Sequence, residues 1–131
     1  MRYRNPSLYR FNEKWVIEKD RASHFSDFLK SEHADENLAF YDKIQTYKRT
    51  KSAEERKEML KEMYPLYVLP ESLSAVNLTG EVLEQIEKEL EEAPENIFRG
   101  AEAEVSYLLS AECFMRFRQT KFFQDALEIH R

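Results

Sequence analysis

The chain has 131 residues, enough for one domain with a real core, and 42% are apolar against 34% charged, which excludes a disordered tail. Only two glycines and four prolines occur, which argues against a turn-rich β sandwich and against a glycine-rich phosphate loop; the single cysteine, Cys113, excludes an internal disulfide and a cysteine-based zinc site. The net charge of −5 is a poor match to nucleic acid, which calls for a basic footprint.

The N-terminal stretch is basic and aromatic, and Leu8, Phe11 and Trp15 have helical spacing. Such a stripe suits either a membrane-surface helix or a helix docked on a bundle. Glu13 and Glu18 interrupt the basic face, so docking is the favoured reading. Phe25, Phe28 and Leu29 then mark a short helix ending near Ser31. Leu38, Phe40, Tyr41, Ile44 and Tyr47 mark a longer one that begins near Ala34–Asp35. Ser52 and Glu55 have capping-box spacing and open a third helix, with Pro65 falling in its last turn as a kink or a stop.

Residues 68–78 lack periodicity and read as a loop. Thr79 is a natural N-cap for a helix that turns Val82, Leu83, Ile86 and Leu90 inward and stops before Pro94. Asn96 can cap the next helix, whose stripe is Phe98, Ala101, Val105 and Leu108, with Gly100 placed for close packing. Phe114 and Phe117 follow on a short segment, and Phe122, Phe123, Ala126 and Leu127 close the chain as a final helix. The pattern throughout is that of an irregular all-α bundle.

Residues 81–104 hold nine glutamates against Lys88 and Arg99. The bland reading, a solvated helix face, is favoured over a field that steers a basic partner. No apolar run approaches the roughly 18 residues of a membrane span, and the first ten residues lack the apolar core of a signal peptide. With a lone cysteine, these features suggest a cytoplasmic protein.

Self-contained catalysis finds little support. The three histidines, His24, His33 and His130, stand in no nucleophile motif. Cys113 with a distant histidine is formally a pair, but a small helical core residue is the simpler reading. Glu32, His33, Asp35 and Glu36 cluster near one helix start, yet their spacing fits no metal motif, and acids at a helix N-terminus are ordinary. No catalytic residue, metal site or cofactor is expected.

Residues 25–41, FSDFLKSEHADENLAFY, are more specific. Their Phe25, Phe28, Leu29, Ser31, Glu32, Glu36, Asn37, Leu38, Phe40 and Tyr41 resemble the signature of regulator of G-protein signalling (RGS) domains, with Tyr41 where that family usually has Trp. The resemblance continues in order through Val76-Asn77-Leu78, Phe98 and Ala101. It ends on Leu108, Leu109, Glu112, Arg116, Phe117 and Thr120, followed by Phe122 and Phe123, and covers about residues 15–128.

The resemblance implies a single RGS domain over 1–131, an irregular bundle of about nine helices. Helices at about 34–48, 52–67, 79–92 and 97–109 would form a central antiparallel four-helix unit, and the terminal helices a smaller subdomain. It also implies acceleration of GTP hydrolysis by heterotrimeric G-protein α subunits (Gα), with the domain as a monomeric activator that has no catalytic site of its own. Recruitment to the inner face of the plasma membrane fits such a partner. By resemblance, Asn77 reaches the Gα switch region and helps hold the Gα glutamine. Glu36 and Asn37 form a second contact, with Glu32 and His33 beside them, and Leu108, Glu112 and Arg116 form a third. In the family the acid at 112 and Arg116 also brace each other.

Taken singly, each of these residues has a plainer use. Asn77 can shape a turn, Leu108 can be core, and Glu112 and Arg116 can form an ordinary i,i+4 pair. Taken in family order, the functional reading prevails for Asn77, Glu36 and Asn37, and less so for the C-terminal group. Four positions depart from the usual pattern: Glu112 replaces an Asp, Cys113 often a Ser, His33 a bulky aromatic, and Ala34 often a Ser. The alternative function is an RGS-fold scaffold without GTPase-activating (GAP) activity. A metal- or cysteine-dependent enzyme on an unrelated bundle ranks third. A partly exposed Cys113 would make binding redox-sensitive.

Overall fold

The computed structural model describes residues 19–32 and 34–129, of which 19–22 and 126–129 are described by backbone alone. The expected docking helix of Leu8, Phe11 and Trp15 lies outside the described residues, as do His33 and His130. The described residues hold six α-helices: α1 Lys19–Ser31, α2 Asp35–Arg49, α3 Ala53–Met63, α4 Gly80–Glu89, α5 Arg99–Tyr107 and α6 Lys121–Ile129. Two π-helical stretches, Tyr64–Val68 and Leu108–Phe114, continue α3 and α5 without a break, and a single turn, Met115–Phe117, follows the second. The fold class is all-α. The expected figure of nine helices depends on where such continuous helices are divided.

The chain forms two compact units, one of Glu36–Val105 and one of Met1–Asp35 with Ser106–Arg131. The first holds α2 to α5, close to the central unit expected from sequence. Its helices run antiparallel in pairs. Phe40, early in α2, stacks on Tyr67 beyond the end of α3, with ring centroids 5.2 Å apart, while Thr50 after α2 reaches Met59 of α3. Likewise Thr79 before α4 meets Glu104 late in α5, and Glu89 at the end of α4 meets Arg99 at the start of α5. Gly100 lets the second pair close: a Cβ there would stand 3.0 Å from a methyl of Val82.

The core of this unit follows the predicted stripes in α2 and α5, whereas α4 fully buries only Ile86, with Val82, Leu83 and Leu90 half-buried, and Ile97 joins the core unforeseen. Phe40, Ile44, Tyr47, Ile86, Ile97, Phe98, Ala101 and Val105 are buried, and Phe98 meets both Phe40 and Tyr47 edge to face. Ser52 caps α3 as its spacing suggests, accepting from the backbone N–H of Glu55 at 3.3 Å. Pro65 neither ends nor sharply breaks that helix. It has no N–H to give the i−4 ladder, and the backbone widens there into the π turn Tyr64–Val68.

One polar side chain is built into the unit. Arg56 is 9% exposed; its Nε donates to the carbonyl of Ala93 at 2.8 Å, and its Nη1 donates to those of Thr50 and Lys51 at 3.0 and 2.9 Å. Ala93 holds a left-handed φ of 47°, which costs a non-glycine residue about 1 kcal/mol. The hydroxyl of Tyr47 donates to the next carbonyl, Pro94, at 2.8 Å. The α4–α5 corner is thus bonded from both α2 and α3.

The other unit is an aromatic cluster. Phe25 and Phe28 of α1 surround Phe117, with centroids 5.0 and 5.6 Å away, and Phe123 of α6 closes on the same ring. Here the expected stripe is corrected by one residue. Leu109 is fully buried and Leu108 only half-buried, because the π stretch advances the inward face to Leu109, Cys113 and Phe114.

Two substitutions test this core by thermal melting. Phe40→Ala is expected to destabilise by about 3–5 kcal/mol, the usual cost of emptying a buried ring site. Arg56→Ala is expected to cost about 3 kcal/mol or more, because it strands carbonyls at the corner. An unchanged melting curve in either case would mean that the side chain is not part of the core described.

Candidate functional site

The residues singled out from sequence fall on both units. In the central unit, Glu36 and Asn37 occupy the first turn of α2 and are half-buried. Asn77 lies in the extended segment that leads into α4. Its neighbours Val76 and Leu78 are buried at 7% and 9% exposure while Asn77 itself is exposed, so burial of the flanking side chains turns the amide outward. The backbone N–H of Val76 donates to the carbonyl of Tyr67 at 2.9 Å, fixing the near side of the segment. The Asn77 amide forms no hydrogen bond to another described residue. It therefore keeps its donor and acceptor capacity.

The far side of the segment is fixed in a way the sequence reading did not foresee. Thr79 precedes α4, as expected of a cap, and its carbonyl accepts from the N–H of Leu83 at 3.0 Å. Its side chain, however, makes no cap bond. The hydroxyl donates to Glu104 Oε2 at 2.7 Å, and the Thr79 N–H donates to Oε1 of the same carboxylate at 2.9 Å. Glu104 is one of the nine acids read as a solvated face; Glu81, Glu84, Glu87, Glu91, Glu92 and Glu95 are exposed as that reading expects, while Glu89, Glu102 and Glu104 are half-buried, and several of the nine are paired. Glu89 takes two bonds from Arg99, Glu102 takes one each from Gln45 and Lys48, and Glu95 pairs with Lys51. Arg99 holds the Glu89 carboxyl below the usual carboxylate range. Composition alone does not reveal these pairings, since each partner comes from another element.

In the second unit, Glu32 follows α1 and Arg116 lies in the single turn after the π stretch. Arg116 donates to Glu32 Oε1 through Nη2 at 2.7 Å and through Nε at 3.1 Å. The expected brace between Glu112 and Arg116 is not formed: among the described residues no hydrogen bond or ion pair joins them. The guanidinium turns instead to a carboxylate 84 positions away in sequence. Glu32 raises the Arg116 pKa further above its already high ordinary value, chiefly through this hydrogen bond. Glu112 is exposed, and Leu108 is half-buried at the start of the π stretch.

Cys113 is buried at 5% exposure, not partly exposed. Burial pushes its thiol above the ordinary range, with Arg116 opposing that shift. The thiolate is the reactive form, so the expected redox sensitivity loses its chemical basis.

No group of three or more metal-ligating side chains occurs among the described residues. An apolar cleft of about 470 Å³ opens in the central unit between Lys57, Leu60, Lys61, Tyr64, Pro65, Leu90 and Glu91, and none of the singled-out residues lines it. No helix of the described residues is long and apolar enough to cross a membrane. The singled-out residues lie instead on helix starts, an extended segment and a helix exterior, which suits a protein surface rather than a small-molecule pocket.

A raised thiol pKa carries a sign for pH. The folded form holds the proton more tightly than the unfolded one, so this contribution to stability is intact below the unfolded value near 8.5 and declines as pH rises through it. Native protein at pH 8 is expected to react slowly with a chromogenic disulfide reagent and rapidly once unfolded. Equal rates would show that Cys113 is accessible in the native state.

A family model described as the regulator of G protein signaling domain matches residues 13–126. "Regulator of G-protein signaling 13" of Homo sapiens is 29% identical over 104 residues, 79% of this chain and 65% of that protein. "Regulator of G-protein signaling 1" of Xenopus tropicalis is 28% identical over 118 residues, 90% of this chain and 59% of that protein. "Regulator of G-protein signaling 5" of Bos taurus is 30% identical over 104 residues, 79% of this chain and 58% of that protein. The chain thus spans less than two thirds of the length of these curated relatives. With a family match over almost its whole length, and with the family's signature residues in order on an all-α fold, the chain belongs to the regulator of G-protein signalling domain family.

Proposed function

We propose that residues 1–131 act as one RGS domain, which accelerates GTP hydrolysis by heterotrimeric Gα subunits and so terminates their signal. The observation that carries this reading is the Asn77 amide, exposed and without a hydrogen-bond partner among the described residues, on a segment whose flanking side chains are buried. The chemistry belongs to the partner. A Gα carries an arginine in cis that stabilises the transition-state charge and a glutamine that orients the attacking water. A surface that binds the switch segments best in their transition-state arrangement lowers the barrier by differential binding alone.

In this reading Asn77 donates to and accepts from the switch region and steadies the Gα glutamine. Glu36 and Asn37 accept from and donate to switch backbone and hydroxyl groups. Leu108 supplies apolar contact, Glu112 accepts from the partner, and Arg116 is held ready by Glu32. His33 adjoins this surface in sequence. The partner is the GTP-bound Gα, met by a monomer on the cytoplasmic side of the membrane where Gα is held.

Single-turnover GTP hydrolysis by a panel of Gα subunits, with and without the chain, tests the proposal. Acceleration is expected with at least one Gα. Asn77→Ala is expected to weaken it while leaving helicity and melting nearly unchanged. Binding without acceleration across the panel would favour an interaction scaffold, for which the unbraced Glu112 is the specific structural ground.

A further inference from the structure

We propose that Glu104 is a positioning residue for Asn77: by taking both the backbone N–H and the hydroxyl of Thr79, its carboxylate holds the Asn77 amide in the pose that engages the partner. This deepens the proposed function and rests on it.

The geometry is that of a two-point clamp. The Thr79 N–H and hydroxyl donate to separate oxygens of one carboxylate, at 2.9 and 2.7 Å. Bonds to an ionised acceptor are stronger than neutral ones, and two of them in parallel fix orientation as well as distance. The bonded N–H belongs to the Leu78–Thr79 peptide, so the clamp fixes the chain within two residues of Asn77. On the other side, Val76 N–H to Tyr67 O fixes the chain one residue away. The backbone that carries the amide is thereby held at both ends.

Two plainer uses of Glu104 do not account for it. A threonine at this position ordinarily turns its oxygen to the first free N–H groups of its own helix. Here the hydroxyl is diverted from α4 to α5, and α4 starts on the Thr79 carbonyl alone. Nor does Glu104 serve as an ion-pair partner, since no cation among the described residues stands within salt-bridge distance, whereas Glu89, Glu95 and Glu102 each have one. Besides tying the start of α4 to α5, the clamp places the segment bearing Asn77. Transition-state assistance is sensitive to such placement, and about 1 Å of displacement can cost roughly a hundredfold in rate.

The test compares single-turnover acceleration by the unaltered chain, Glu104→Ala and Glu104→Gln over a range of domain concentrations, with a responsive Gα. Glu104→Ala is expected to lower the maximal acceleration roughly tenfold, a fraction of what full misplacement costs. Glu104→Gln is expected to restore it, because its Oε1 can accept from the Thr79 N–H while its Nε2 donates to the hydroxyl. In an Asn77→Ser background, whose hydroxyl can still donate and accept, the Glu104→Ala loss is expected to vanish, since both changes act through one group. Amide hydrogen exchange at Thr79 is expected to quicken in Glu104→Ala and not in Glu104→Gln. An undiminished Glu104→Ala, a Gln variant that fails to rescue, or a full loss persisting in the Asn77→Ser background would each overturn the assignment. If the unaltered chain accelerates no Gα, the functional reading falls and takes this assignment with it. If the unaltered chain is active and depends on Asn77 but not on Glu104, the positioning role alone falls.

Discussion

A buried guanidinium sets the geometry of the central unit. Arg56 gathers the carbonyls of Thr50, Lys51 and Ala93, groups that close α2 and the α4–α5 corner. Without a donor, such carbonyls would lie near the interior unpaired, at about 1–3 kcal/mol each. The bonds also hold Ala93 in a left-handed conformation that its methyl group disfavours. The corner in turn fixes how α5 returns along α4. That return brings Arg99 to Glu89 at one end of the pair and Glu104 to Thr79 at the other. A side chain on α3, far in sequence from the exposed Asn77, thus helps decide where Asn77 stands.

The Asn77 segment shows how a side chain can be displayed outward without regular structure. Period-two alternation over Val76, Asn77 and Leu78 buries the outer two and turns the middle one out. Alternation of this kind fixes which way a side chain faces but only loosely where the chain lies along its length. The hydrogen bonds at Val76 and Thr79 supply that second constraint. Burial and bonding therefore divide the task between them. The open amide costs little stability because it faces solvent rather than the core.

Most of the fold was legible because helical periodicity survives tertiary packing. The stripe Leu38, Phe40, Tyr41, Ile44 and Tyr47 is buried throughout, and the Ser52 cap lies where its spacing placed it. One miss is geometric. Where the backbone widens to a π turn, the 3.6-residue rule advances the wrong residue, so the stripe through Val105 points to Leu108 while Leu109 is the buried one. The polar contacts were less legible, because sequence shows candidate donors and acceptors but not the partner chosen. Thr79 was placed correctly as a helix start and wrongly as a side-chain cap. Arg116 lay at i+4 from one acid, yet it bonds a different one, reached only through the fold. Arg56 carried no signal at all, being one cation among several on a charged helix.

The Arg116–Glu32 pair also bears on what the Asp-to-Glu departure at 112 means. A brace between residues 112 and 116 would draw the acid toward the guanidinium and away from solvent. With Arg116 committed to Glu32, the longer Glu112 is spared that restraint and stays exposed. An unrestrained carboxylate must lose more rotamer freedom on binding, by about 0.5–1.5 kcal/mol for a side chain of this kind. In the proposed complex the departure would bear on the affinity of one contact and leave the display of Asn77 intact, because that display depends on burial and bonding within the central unit alone.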